Sequence, residues 1–268
     1  MLATGPTASQ IFVDPELQTQ VRSALGGGNG SFLPESLRGL RFLMAGNASI
    51  SSLQGLEHAD NLDLLQLHGN RITSLQPLSA LQKLSWLDLE QNRVRDLVPL
   101  KHLRELEHLN LQSNRVVDLN PLQDLTQLHS LWAGHNMIRE LGPIGHLHQL
   151  KDLGLARNRI YDLQPLAALL HLNRLRLAKN AIDDLGPLSG MVELSHLSFQ
   201  GNSVSDLTPL TGLHQLVHLA AHGNQVTDVS PLRNLRSLMY LRLTDNQISN
   251  LEGLRGLENL VADLEANN

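Results

Sequence analysis

Histidine is the residue type in this sequence that offers the most chemistry. The chain has 13 histidines and no cysteine among 268 residues, so imidazoles and carboxylates are its available metal ligands. His196 and His218, which are 22 residues apart, form a weak candidate pair for one metal ion. The sequence offers no obvious third ligand, so we expect no metal site. The histidines suit a pH-sensitive interface better, because imidazole changes its charge between about pH 5 and 8.

Motifs that carry catalysis are missing from the sequence. It contains no GxxxxGK(S/T), GxSxG, HExxH or GxGxxG pattern. The glycine-rich stretch GGGNG at 26–30 has no predicted strand before it, as a phosphate-binding loop would require. Six aspartates recur at multiples of 22 residues and are therefore predicted to be scaffold residues: Asp96, Asp118, Asp162, Asp184, Asp206 and Asp228. The sequence predicts a protein that is not an enzyme and binds no cofactor.

The composition argues against two classes of partner. The formal net charge of −5 disfavours a general affinity for nucleic acid. No apolar run approaches the roughly 20 residues that cross a bilayer, so the chain is not expected to span a membrane. The first ten residues, MLATGPTASQ, have neither a basic start nor an apolar stretch. We expect either a secreted or cell-surface protein whose signal has been removed, or a cytoplasmic protein.

A repeat dictates the elements that must position these side chains. The chain is 41% hydrophobic but only 3% aromatic, which points to a core built from leucine. One unit, residues 106–127, reads LEHLNLQSNRVVDLNPLQDLTQ and follows the pattern LxxLxLxxNxVxDLxPLxxLxx. Nine asparagines recur every 22 residues: Asn70, Asn92, Asn114, Asn136, Asn158, Asn180, Asn202, Asn224 and Asn246. The pattern is a leucine-rich repeat.

The spacing within one unit predicts a short strand and an irregular return segment. Leu109 and Leu111 are two residues apart and so point to one face of a strand. The later leucines, at intervals of three, favour 3₁₀ turns over a long helix. Because one unit cannot bury its own leucines, units must stack and align their strands in a parallel sheet. The predicted fold class is an α/β leucine-rich repeat solenoid.

Each recurring asparagine follows its strand, at the point where the chain turns inward. An amide side chain can both donate to and accept from backbone groups that lack a sheet partner there. We therefore predict that the nine asparagines form a structural ladder, and that the proline seven residues further on lies in a return segment where it costs no sheet hydrogen bond.

The predicted organisation has three parts. Residues 1–10 are expected to be a disordered leader or a remnant of expression. Residues 11–39 form a helical N-terminal cap, in which Asp14 caps a helix that starts at Pro15 and is stopped by glycines from Gly26 onward. Residues 40–268 form about ten coils of 22 residues and a partial last one. In that last coil Leu264 is one place out of register.

The unit LxxLxLxxNxIxDLxPLxxLxx, at 22 residues, resembles the internalin-type bacterial leucine-rich repeats. The stretches IFVDPELQTQVRSALG and ISSLQGLEHADNL also resemble that family's helical cap and first coil. The resemblance implies a curved solenoid with 3₁₀ segments on the convex side and a recognition surface on the concave sheet. It also implies a secreted or surface-attached protein that binds another protein, such as a host surface protein. The second family considered is the cytoplasmic 22-residue type that scaffolds phosphatases.

The strand positions that do not repeat are the candidates for binding. Both tryptophans of the chain fall on them, Trp86 and Trp132, and strand spacing predicts that they lie about 10 Å apart. Tryptophan, tyrosine and arginine are frequent binding hot spots. We predict a partner-binding surface on the concave face that comprises Trp86, Trp132, His108, Asn110, Asp88, Glu90, Arg174, Arg176, Tyr240 and Arg242.

Three alternatives remain open for this surface. The aromatic side chains could cover a thin sheet and bind nothing. They could instead serve a carbohydrate- or wall-polymer-binding module, in which an aromatic platform and arginines bind a glycan. The chain could also be a cytoplasmic scaffold or the regulatory part of a larger protein.

Overall fold

A computed structural model describes residues 11–27, 32–264 and 267 of the chain. The prediction of a leader over residues 1–10 therefore lies outside the described residues. Two helices precede the repeats, α1 (Pro15–Ala24) and α2 (Pro34–Leu37). No helix in the described part of the chain is long and apolar enough to cross a membrane.

Eleven three-residue strands of the described chain form one parallel sheet in sequential order. The strands are β1 (Phe42–Met44), β2 (Leu64–Gln66), β3 (Trp86–Asp88), β4 (His108–Asn110), β5 (Ser130–Trp132), β6 (Asp152–Gly154), β7 (Arg174–Arg176), β8 (His196–Ser198), β9 (His218–Ala220), β10 (Tyr240–Arg242) and β11 (Val261–Asp263). From β1 to β10 each residue pairs with the residue 22 positions later, as Leu109 does with Leu131. This arrangement confirms the predicted solenoid with a helical N-terminal cap.

The middle residue of each strand from β1 to β10 is a buried leucine, and the residues on either side of it face outward. The inward leucines of all coils join the leucines of the return segments in one continuous core. Since each coil covers the apolar face of the next, the core extends along the whole array and needs few aromatic residues.

The return segments are 3₁₀ turns, as the spacing of the leucines predicts. They are Leu56–His58, Gln76–Leu78, Val98–Leu100, Asn120–Leu122, Gly142–Ile144, Gln164–Ala168, Gly186–Leu188, Thr208–Leu210, Ser230–Leu232 and Glu252–Leu254. Eight of them carry proline near their start. Proline fits there because its fixed φ suits the first turn of a helix and its missing N–H has no helical partner to lose.

Helix α1 is fastened to the first coil by one carboxylate. Asp14 accepts hydrogen bonds from the backbone N–H groups of Glu16 and Leu17, which caps the helix. Its second oxygen accepts from the backbone N–H and the hydroxyl of Ser51, at 2.8 and 2.9 Å, and from the N–H of Ser52. The sequence pattern predicts the capping half of this arrangement, whereas the link to the first coil is seen only in the structure.

The last coil is shorter by one residue. Strand β11 pairs Leu241 with Ala262, an offset of 21 residues instead of 22. With that offset Leu264, out of register in the 22-residue pattern, packs against the core in the place that Leu243 occupies one coil earlier. Asn267 then follows at the asparagine position and donates a hydrogen bond to the Leu264 carbonyl. A strict period of 22 therefore overlooks an asparagine at the ladder position that makes, among the described residues, only the bond within its own coil.

Candidate functional site

The recurring asparagine stabilises the turn after each strand. It thereby keeps equivalent outward-facing residues of successive strands in line. Asn114 donates to the carbonyls of Leu89 and Leu111 at 2.8 and 3.1 Å and accepts from the N–H of Val94 at 2.9 Å. The same three kinds of bond recur at the other eight asparagines. Each amide thus joins two neighbouring coils.

An aromatic cluster, defined here as Trp86, His108 and Trp132, lies on strands β3 to β5. The ring centroids of Trp86 and His108 are 4.3 Å apart and those of the two tryptophans 6.3 Å. The tryptophans are closer than the spacing of their strands predicts, so their side chains lean toward each other across β4. All three side chains are half-buried. The structure therefore unites these predicted site residues in one exposed aromatic surface.

Gly154 explains how the Trp132 indole finds room. It pairs with Trp132 across β5 and β6. A Cβ atom on Gly154 would lie 3.1 Å from Cδ1 of the indole, a tighter contact than most side chains make. Without that atom, one edge of the indole lies over β6 while its ring extends toward Trp86.

Acidic groups lie beside the aromatic cluster, on strand β3 and just after it. Asp88, two residues after Trp86, lies 3.4 Å from Nδ1 of His68. The Asn110 amide donates to Glu90 at 3.2 Å. These predicted site residues form a polar rim, an arrangement common in protein interfaces.

Burial disfavours the charged form of His108. Burial lowers the pKa of its imidazole below the ordinary 6.5, the Glu107 carboxylate raises it, and His129 lowers it again. The Nδ1 atoms of His108 and His129 are both buried and have no hydrogen-bond partner among the described residues. Burial thus favours the uncharged imidazole at the centre of the aromatic cluster.

The arginines and the tyrosine that the sequence assigns to the same surface lie on β7 and β10, apart from the aromatic cluster. Arg176 donates to Asp152 at 2.7 Å and Arg242 donates to Asp263 at 3.3 Å. Tyr240 stacks on His218 with ring centroids 4.4 Å apart and planes 4° apart. Arg174 is exposed on the same face.

His196 and His218 are stacked on each other, with centroids 4.3 Å apart at 18°. Among the described residues, no three His, Asp or Glu side chains are grouped so that they could hold a metal ion. The rings of His196, His218 and Tyr240 thus form a continuous stack. The sequence places these residues at equivalent positions of successive strands but does not reveal that their rings stack, because stacking depends on side-chain rotamers.

The described chain is similar to solved leucine-rich repeat structures. An internalin, InlF, from Listeria monocytogenes is 32% identical, with a TM-score of 0.94 over 99% of this chain and 80% of that one. Internalin InlC2 from Listeria monocytogenes is 29% identical, with a TM-score of 0.52 over 98% of each chain. A plant receptor kinase ectodomain from Arabidopsis thaliana, GASSHO1/SCHENGEN3, shares the fold at 23% identity, with a TM-score of 0.71 over 78% of this chain and 27% of that one.

No protein-family model and no curated protein matches the sequence. The internalin InlF nevertheless aligns over nearly the full length of this chain, the helical cap included. Three observations point to the same family: the 22-residue unit, the parallel sheet with 3₁₀ return segments, and this similarity. The chain belongs to the internalin family of leucine-rich repeat proteins.

Proposed function

We propose that the chain is a non-catalytic binding module that recognises a protein partner on its concave sheet face. The observation that carries this proposal is the aromatic cluster. The chain has only two tryptophans, and both lie in it on outward strand positions. Half-buried aromatic groups with a polar rim are typical of binding hot spots.

The comparisons support a protein as the partner. The plant receptor ectodomain of the same fold was solved in complex with CASPARIAN STRIP INTEGRITY FACTOR 2. The similarity to Listeria monocytogenes internalins favours a bacterial protein. We propose that it is secreted or surface-attached and that its partner is a host surface protein. A cytoplasmic scaffold remains the alternative setting. Fractionation of cells that produce the full protein tests the setting separately from the binding surface.

The double substitution Trp86→Ala and Trp132→Ala tests the surface. We expect it to abolish partner capture, because it removes two of the three rings of the aromatic cluster. Tyr161→Ala is the matched control, since Tyr161 is an exposed aromatic residue outside the concave strands. The measurement is an unbiased pull-down with the full chain, followed by affinity measurement on any protein retained by both the wild type and the control.

Folding is checked by circular dichroism and thermal unfolding, which the double substitution should leave unchanged because both tryptophans lie outside the leucine core. Capture of the same proteins with unchanged affinity by the double variant would contradict the concave-face proposal.

A glycan is the second candidate partner. The observation in its favour is that polar residues neighbour the tryptophans on the sheet: Asn110 pairs in register with Trp132, and Asp88 follows Trp86 on β3. A glycan array separates the two candidates. Binding to one glycan that is lost with Trp86→Ala would assign the aromatic cluster to a sugar instead of a protein.

A further inference from the structure

A depression on the concave face lies beyond the aromatic cluster, between β7 and β10. Its volume is about 220 Å³. It exists because Ser198 and Ala220 are small where the strands on either side carry Arg176 and Arg242. We call this depression, bounded by those four residues and the ring stack beside it, the arginine trough.

The ring stack of His196, His218 and Tyr240 forms one wall of the trough. Because these rings stack face to face along the solenoid, a ligand in the trough would contact their edges. The edge of an aromatic ring is the positive end of its quadrupole. Imidazole N–H groups and the tyrosine hydroxyl also lie on ring edges and can donate hydrogen bonds.

A guanidinium stands at each end of the trough and keeps unused donors. Arg176 pairs with Asp152 and Arg242 pairs with Asp263, each through one nitrogen. The two aspartates lie on β6 and β11, outside the ends of the trough. A guanidinium has five N–H donors, so each arginine can bind a second acceptor. Their side chains are 47% and 63% exposed, which leaves these donors accessible.

The dimensions fit a short extended segment. Three strand spacings separate β7 from β10, about 14 Å. An extended chain covers that length in about four residues. Both arginines already pair with carboxylates in this structure, and the planar guanidinium fork matches a carboxylate.

We propose that the arginine trough binds an acidic segment of the partner protein and seats a carboxylate side chain between Arg176 and Arg242. This inference rests on the proposed function, because it assigns part of the same concave face to the same protein partner. The methylene groups of a glutamate suit the floor, where Ala220 and the buried leucines of β8 and β9 lie, better than a compact phosphate or sulfate does.

Nuclear magnetic resonance of the full chain tests the proposal. The probe is the pentapeptide acetyl-Glu-Gly-Glu-Gly-Glu-amide, and its control is the same peptide with glutamine in place of glutamate. We expect saturable shifts of the ring signals of His218 and Tyr240 with the first peptide only. Equal shifts with the glutamine peptide, or none with either, overturn the proposal.

Substitutions locate the binding. Arg176→Gln with Arg242→Gln should weaken the glutamate peptide by at least about tenfold, since hydrogen bonds to charged groups are lost. Arg159→Gln with Arg236→Gln removes the same charge at exposed positions off the concave strands and should change affinity little. Ala220→Leu keeps every charge but fills the trough, so it should also abolish binding. Unchanged affinity in the first or the last variant contradicts the site.

Two outcomes separate this proposal from its neighbours. If inorganic phosphate or sulfate shifts the same signals at lower concentration than the glutamate peptide, the trough is an oxyanion site and the peptide assignment is wrong. The Trp86→Ala and Trp132→Ala variant should still bind the peptide, because the aromatic cluster lies on other strands. If the variant with both arginines replaced still captures the partner, only this inference is overturned. If the variant with both tryptophans replaced also still captures the partner while the glutamate peptide binds as expected, only the proposed role of the aromatic cluster is overturned.

Discussion

At the scale of single residues, each asparagine of the ladder connects two coils through the hydrogen bonds of its side-chain amide. Asn114 bonds four backbone groups from two coils: those of Leu89 and Val94 in one coil, and those of Leu111 and Gln112 in the next. A buried polar group left without a partner costs about 1–3 kcal/mol. The amide therefore stabilises the turn chiefly by preventing unpaired backbone groups.

Substitution of Asn114 by Ala should lower the free energy of unfolding by about 1–3 kcal/mol, because its backbone partners lose their bonds. Urea unfolding followed by circular dichroism measures this change. Asn120→Ala is the control, since Asn120 begins the 3₁₀ turn of the same coil and is exposed. Equal effects of the two substitutions would show that the ladder bonds add no stability.

Residue types and spacing predict this ladder from sequence, because period and hydrogen-bonding capacity depend only on the chain. They do not predict the distance between Trp86 and Trp132. Strand spacing fixes where their backbones lie, whereas the 6.3 Å between ring centroids depends on rotamers and on the room left by Gly154. The stack of His196, His218 and Tyr240 escapes sequence analysis for the same reason.

At the scale of elements, the attachment of helix α1 depends on an ionised carboxylate. Burial raises the pKa of Asp14. Hydrogen bonds from the Ser51 and Leu17 backbone, the Ser51 hydroxyl and the Ser52 backbone lower it by more than burial raises it, so the pKa lies below the ordinary 3.8. A lowered folded-state pKa means that the stabilisation is complete above pH 3.8 and is lost as the pH falls through the folded pKa.

Asp14→Asn should therefore lower the melting temperature at pH 7, where the wild type has the full contribution of the carboxylate. As the pH falls below about 3.8, the difference between variant and wild type should shrink. Differential scanning calorimetry across this range measures both. Asp124→Asn, an exposed aspartate on a return segment, should show no such difference. A gap between Asp14→Asn and wild type that widens on acidification would reverse the expected sign.

The two ends of the array also show what a repeat pattern leaves undetermined. The sequence indicates the start of α1 because Asp14 and Pro15 form a local capping signal. It does not indicate the helix α2 or the burial of Phe12, whose ring lies against Gly55 in the first coil. Similarly, the out-of-register Leu264 indicates a shift in the last coil, but only the pairing of β11 with β10 identifies it as a 21-residue offset.

At the scale of the whole molecule, the described helices, strands and 3₁₀ turns contact only the elements of neighbouring coils or of the cap next to them. Each strand packs against the strands before and after it, and α1 packs against β1. A solenoid of this kind is approximately one-dimensional, so a local defect should open the coils around it before the distant ones.

Leu131→Ala, in the middle of β5, should destabilise the fold by about 2–5 kcal/mol by leaving a cavity in the core. Hydrogen exchange measured by mass spectrometry should then accelerate most in β4 to β6 and least in β1 and β10. Uniform acceleration along the whole sheet would mean that the array opens as one cooperative unit.

Because the register is constant from β1 to β10, two sites on the sheet are separated by a whole number of strand spacings. The aromatic cluster ends on β5 and the arginine trough begins on β7, so a whole number of coils separates them. Duplication of the 22-residue unit that carries β6 would move the two sites about 4.8 Å further apart and keep Gly154 beside Trp132 and Asp152 beside Arg176. Duplication of whole units can therefore change the distance between the aromatic cluster and the arginine trough in steps of one coil. The residues that form each site stay the same.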